Sequence, residues 1–169
     1  MEKIKPIRIF IVEDDAMYAR LMQRALEQQN YEVHVFPSGE EMISSWEEDP
    51  DIILLDYYIE PEQGVHMNGE KILRFIRRIS KSLPVISLTA TPDISRATGM
   101  LKLGAVDFIV KDTEGIKNLQ NTISQILEAR KLQEDMARNQ MQIRKYKQHF
   151  VTIVLIIALA AVTLLWLYS

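Results

Sequence analysis

The sequence predicts an α/β fold, a doubly wound five-stranded parallel sheet, and three observations carry that reading. Apolar runs at 7–12 (IRIFIV), 52–55 (IILL), 85–89 (VISLT) and 106–110 (VDFIV) are short and almost unbroken, the pattern of strands buried on both faces. Between them lie segments with apolar residues at helical spacing, which implies right-handed βαβ units. A charged or hydroxyl residue also stands where each run stops: Glu13, Asp56, Thr89 and Lys111.

The elements follow in order. After the strand at 7–12, residues 16–29 place Met17, Leu21, Met22, Ala25 and Leu26 at helical intervals. YEVHVF (31–36) alternates and reads as a strand, and Pro37-Ser38-Gly39 turns the chain into a short helix over 39–47 with Ser38 as its N-cap. Asp49-Pro50 precedes the strand that ends at Asp56. A polar loop with Pro61, Gly64 and Gly69 leads into a helix carrying Ile72, Leu73, Ile76 and Ile79. Pro84 opens the fourth strand. A helix near 94–103 with Ile94, Ala97 and Leu101 closes at Gly104. The fifth strand reaches Lys111, and a last helix starts near Glu114 with Ile116, Leu119, Ile123 and Ile126 facing inward.

Composition narrows the functions. With 25% charged and 47% hydrophobic residues the 169-residue chain is not a disordered one. A net charge of −3 gives no general attraction to nucleic acid, so none is expected as a partner. The absence of cysteine excludes disulfides, thiolate catalysis and cysteine metal sites. The start, MEKIKPIRIFIVEDD, lacks the apolar region and cleavage site of a signal peptide.

Residues 150–168 (FVTIVLIIALAAVTLLWLY) carry no charge over 19 positions, a length expected to span the ~30 Å hydrocarbon core of a bilayer. Phe150, Trp166 and Tyr168 stand at its ends as interfacial aromatics. Arg144, Lys145 and Lys147 precede it, so the positive-inside bias places residues 1–149 in the cytoplasm, with the chain anchored to the inner membrane face. The expected organisation is a domain over 1–127, a helical juxtamembrane linker over 128–149 and a transmembrane helix over 150–168. In the linker, Leu132, Met136, Asn139, Ile143, Tyr146 and Phe150 follow steps of four and three. Such a seam fits a short parallel coiled coil and hence a homodimer. Its length, under three heptads, equally fits a solvated helix joining domain to anchor.

In a parallel sheet the strand ends meet on one edge, where ligands bind. Glu13, Asp14, Asp15 and Asp56 converging there would repel one another. A hard divalent cation such as Mg²⁺ resolves the repulsion while keeping several waters. Lys111 supplies a positive charge and Thr89 a hydroxyl donor. A phosphoryl group on Asp56 gives each part a role, with Asp56 as the nucleophile.

These residues resemble a known family. VEDD (12–15), LLD (54–56), SLTA (87–90) and FIVK (108–111) look like the response regulator receiver domain of two-component signalling, over roughly residues 7–127. The resemblance implies the flavodoxin-like receiver fold and phosphorylation of Asp56 by a histidine kinase or phosphotransfer protein. It implies that Glu13, Asp14, Asp56 and the backbone carbonyl of Tyr58 hold Mg²⁺. Thr89 and Lys111 would contact the phosphoryl group, Phe108 would be the aromatic whose rotamer accompanies switching, and Asp15 would lie just outside the metal shell. Two departures stand out. Glu60 replaces the proline usual four residues after the acceptor, and the loop is long, which aligns Gly69 rather than Gly64 with the family glycine. Asp112 replaces the proline usual after the lysine, so the loop at Lys111 is expected to differ in shape and Asp112 to compete for that lysine.

The expected function is a membrane-tethered single-domain response regulator. It would be no turnover enzyme, and would signal through a phosphorylation-dependent surface to a membrane-associated protein partner. The alternative is a pseudo-receiver acting as a constitutive membrane scaffold without phosphotransfer. An aspartate-dependent phosphohydrolase would want a second aspartate two residues after Asp56, where Tyr58 stands.

Overall fold

The computed structural model describes residues 5–59, 68–91 and 93–167, with the side chains of Glu48, 157–160 and 162–167 outside the described set. Five strands form one parallel sheet: β1 (Arg8–Val12), β2 (Glu32–Phe36), β3 (Ile52–Asp56), β4 (Val85–Thr89) and β5 (Asp107–Val110). Their order is β2-β1-β3-β4-β5. The helices are α1 (Ala16–Glu27), α2 (Gly39–Ser44), α3 (Gly69–Ile79), α4 (Ile94–Lys102) and α5 (Gly115–Leu167), with a 3-10 turn at Trp46–Glu48. The five-stranded parallel architecture and the long C-terminal helix are as the sequence predicts.

β3 sits in the middle of the sheet, and all five of its residues are buried. Phe10, Ile53 and Val85 stand side by side across β1, β3 and β4. They join Ile72, Leu73, Ile76 and Met100 in the core. A strand covered on both faces needs apolar residues at every position, which is why IILL shows no alternation. Capping residues set where the helices begin. Asp15 accepts from the amides of Met17 and Tyr18, Ser38 from Glu41, Asn68 from Lys71 and Asp93 from Ser95 and Arg96. Gly104, at φ 103°, ends α4 in the left-handed region that disfavours a side chain.

Several buried faces differ from those the spacing suggests. On α1 the inward residues are Ala19, Met22 and Leu26, while Met17 and Leu21 are exposed. On α4 Ala97 and Met100 face inward, while Ile94 and Leu101 are exposed. On α3 Ile79 is exposed at the helix end. Apolar spacing of three and four fits two adjacent stripes of a short helix, and only packing against the sheet selects one.

By internal contacts the chain divides into a unit ending at Ile123 and a second running from Ser124 to Ser169. The expected membrane span over 150–168 is not upheld: among the described residues no helix is long and apolar enough to cross a membrane. The part of that run with described side chains, 150–156, covers about 10 Å at 1.5 Å per residue, a third of the ~30 Å core. Phe150 is exposed on α5; the Trp166 side chain and Tyr168 lie outside the described residues. The anchor role of these three aromatics, the bilayer as partner and the placement at the inner membrane face fall with the span.

Candidate functional site

The sheet's ladder continues past each strand end and fixes the backbone of the site. The Glu13 amide donates to the Phe36 carbonyl at 3.0 Å, Tyr57 to Leu88 at 2.9 Å and Lys111 to Thr89 at 2.8 Å. These bonds bring Glu13, Asp56, Thr89 and Lys111 together at the carboxyl edge of the sheet. Glu13 and Asp56 are 1% and 3% exposed, deep burial for two carboxylates. One carboxylate oxygen each from Glu13, Asp14 and Asp56 lies within 4.8 Å of the others, spacing that a divalent cation could bridge.

Lys111 is the counter-charge. Its Nζ lies 2.8 Å from Asp56 Oδ2 and 2.5 Å from Glu13 Oε2. Glu13 Oε2 is thus charge-paired with the ammonium, whereas Asp56 Oδ1 is buried without a hydrogen bond. Orphaned oxygens of this kind are costly unless something else fills the position. The unpaired Asp56 oxygen, in a cluster with Glu13 and Asp14, fits an oxygen-liganded cation, and the residues present suit Mg²⁺. Burial pushes the Glu13 carboxyl up to about 7, with the Asp56 charge adding to the rise and Lys111 opposing it. Asp56 is raised as well, by burial first and by Asp14, against the pull of Lys111.

Neighbouring residues shape the edge. A Cβ at Gly69 would lie 2.5 Å from the Asp56 carbonyl oxygen and 2.9 Å from Tyr57 Cα. Only glycine lets α3 start this close to the acceptor strand, which agrees with aligning Gly69 at that place. Glu60, Pro61 and Gly64 lie outside the described residues. Asp112 does not take Lys111 in this structure: its carboxylate accepts from the Glu114 amide at 3.0 Å, and its own amide donates to the Val110 carbonyl at 2.9 Å. No described peptide bond is cis, so Asp112 closes this turn through hydrogen bonds where the family has proline.

Thr89 is buried at the edge, but its hydroxyl donates to the Thr91 carbonyl at 2.9 Å and accepts from the Thr91 amide. Phe108 is half-buried on β5 opposite Ser87. Asp15 is set aside from the carboxylate cluster as the cap of α1, and its amide donates to Glu13 Oε1 at 3.3 Å. Tyr58 is exposed just past β3.

Tyr18, Tyr57 and Arg96 escape sequence reasoning. The Tyr18 ring lies beneath Lys111, with Nζ 5.3 Å from its centroid. Tyr57 and Tyr58 meet edge to face at 4.9 Å, and the Arg96 guanidinium lies 4.8 Å from the Tyr58 centroid and 5.6 Å from that of Tyr57. Arg96 also pairs with Asp93 at 3.1 Å. The adjacent tyrosines were a visible signal, but the arginine reaches them from another βα unit.

The response regulator receiver domain family model matches residues 9–124. Among curated proteins, the chain is 29% identical over 122 residues to the transcriptional regulatory protein ZraR of Escherichia coli, covering 72% of this chain and 26% of that one. It is 31% identical over 112 residues to the transcriptional regulatory protein ResD of Bacillus subtilis, covering 66% and 44%. The chain thus spans between about a quarter and under half of these relatives. A putative response regulator from Chloroflexus aurantiacus matches in structure with TM-score 0.66 and 30% identity over 73% of this chain and 99% of that one. The receiver domain of a putative Luxo repressor protein from Vibrio parahaemolyticus matches with TM-score 0.67 and 26% identity over 77% and 96%.

Proposed function

The chain belongs to the response regulator receiver domain family of two-component signalling, and from that premise we propose that Asp56 accepts a phosphoryl group from a histidine kinase or phosphotransfer protein. The observation that carries this reading is Asp56 Oδ1, buried at the sheet edge with no hydrogen bond while Lys111 holds Oδ2. A carboxylate held by Lys111 at one oxygen and without a hydrogen-bond donor at the other keeps a lone pair for phosphorus. In the transfer a carboxylate oxygen of Asp56 bonds to phosphorus as the P–N bond of a phosphohistidine breaks, its electron pair staying on the imidazole nitrogen.

Glu13, Asp14 and Asp56, with the Tyr58 backbone carbonyl, are the groups that would hold Mg²⁺, which when bound supplies positive charge beside the phosphoryl oxygens. Lys111, now paired with Glu13 and Asp56, would neutralise a further phosphoryl oxygen. Thr89 would leave the Thr91 carbonyl and donate to the phosphoryl group, and Phe108 would move with it. The exposed side of α4 and the sheet edge at β5 would present the altered surface to a protein partner. The reading is that of an acceptor and not of a turnover enzyme.

The full chain, incubated with Mg²⁺ and a small phosphodonor or a phosphorylated kinase, is expected to gain the mass of one phosphoryl group. Asp56→Asn and chelation of the metal should each abolish the gain. A folded wild type that gains nothing from either donor would sink the acceptor reading and favour a scaffold without phosphotransfer.

A further inference from the structure

Beyond residue 123, α5 continues as one unbroken helix to Leu167, and every side chain from Glu128 to Ile156 is exposed. Among them are large apolar groups with nothing covering them, from Leu132 at 57% exposed to Tyr146 at 74%. Apolar surface of this extent marks an interaction face when it is ordered into a stripe.

The order is a heptad. Ala129, Met136, Ile143 and Phe150 recur every seven residues, and Leu132, Asn139 and Tyr146 stand three residues after the first three of them. With Ala129 added ahead of Leu132, the a/d seam runs to three heptads on an uninterrupted helix. The face away from the seam is polar and internally paired. Arg130 lies 3.3 Å from Glu134, and Arg138 reaches the same carboxylate at 3.9 Å. Met141 is the one large apolar side chain between 129 and 149 that falls outside the stripe.

We propose that this stripe docks onto a second copy of the same chain as a parallel, in-register two-stranded coiled coil. The flanking charges permit that partner. In such a pair the residues meeting beside the seam are Glu128 with Gln133, Asp135 with Gln140 and Gln142 with Lys147, so no like charges oppose. Asn139 sets the register. Against its own copy its amide finds a partner, whereas in a pair shifted by one heptad it would face Leu132 or Tyr146 and lose that amide–amide pairing. The proposal does not depend on phosphorylation of Asp56.

The chain has no cysteine, so single substitutions report the pairing directly in the full-length protein. Under mild oxidation Leu132→Cys and Tyr146→Cys, near the two ends of the seam, should each form disulfide-linked dimers, while Arg138→Cys and Gln148→Cys on the outer face should not. Sedimentation of the unmodified chain should give twice its 19.6 kDa mass. A single-copy mass would overturn the proposal. So would equal cross-linking at all four positions, which would mean unspecific aggregation. Failure at 132 and 146 with cross-linking of Asn139→Cys alone would place the copies antiparallel and equally overturn it.

Discussion

Residues up to Ile123 and residues from Ser124 onward carry similar apolar periodicity but meet opposite fates. In the first unit the stripes of α1, α3 and α4 close against a sheet, and Ile9 to Val12 and Ile52 to Leu55 are wholly buried. In the second, Leu132, Met136, Ile143 and Tyr146 repeat just as regularly and are all exposed. Periodicity states that a face wants covering; it does not state by what. Inside the first unit the cover is intramolecular, and that closed packing is what can hold two carboxylates in a dry edge.

The largest effect that would break this contrast is a cavity. Ile53→Ala, in the middle of the sheet, should cost about 2–5 kcal/mol in urea unfolding of the receiver. Ile143→Ala should leave the same transition within about 0.5 kcal/mol. Equal costs would mean that the two regions are not energetically separate.

A smaller effect concerns the carboxylates. Glu13 titrates near 7 when folded, against its ordinary 4.5. The folded state therefore binds more protons than the unfolded state between those values, and the stability that the protonated group confers is lost as pH rises from about 4.5 to 7. Glu13→Gln, with metal chelated, should accordingly be more stable than the wild type at pH 8, by on the order of 1–3 kcal/mol, and the advantage should vanish near pH 4. Urea midpoints across that range decide it; a pH-independent difference would contradict the burial argument. Mg²⁺ should reverse the penalty, because it binds the ionised carboxylates.

The smallest is at the rim. Arg96→Ala removes the guanidinium from Tyr57 and Tyr58 and should cost only about 0.5–1 kcal/mol. A loss comparable with Ile53→Ala would make that cluster part of the core.

The strands and the edge residues were legible because their signals are local. A continuous apolar run such as IILL needs burial on both faces, and parallel pairing then brings Glu13, Asp56, Thr89 and Lys111 to one edge whatever the loops do. What depends on contacts distant in sequence was not. The stripe on α1 that faces the sheet, the Tyr18 ring under Lys111 and the Arg96 contact with Tyr58 come from packing between elements of the first unit. The Thr89 hydroxyl's preference for Thr91 is a choice among rotamers that a strand-end threonine leaves open. The run at 150–168 misled for a related reason: apolar length permits a span without requiring one.

The most direct test of the account locates the modified residue. Full-length protein phosphorylated in the presence of Mg²⁺ would be treated with borohydride, which reduces an aspartyl phosphate to homoserine, and then digested and sequenced by mass spectrometry. The account predicts homoserine at position 56 and at no other aspartate. Homoserine at Asp14 or Asp15, or phosphate retained on a serine or threonine with Asp56 unaltered, would contradict it.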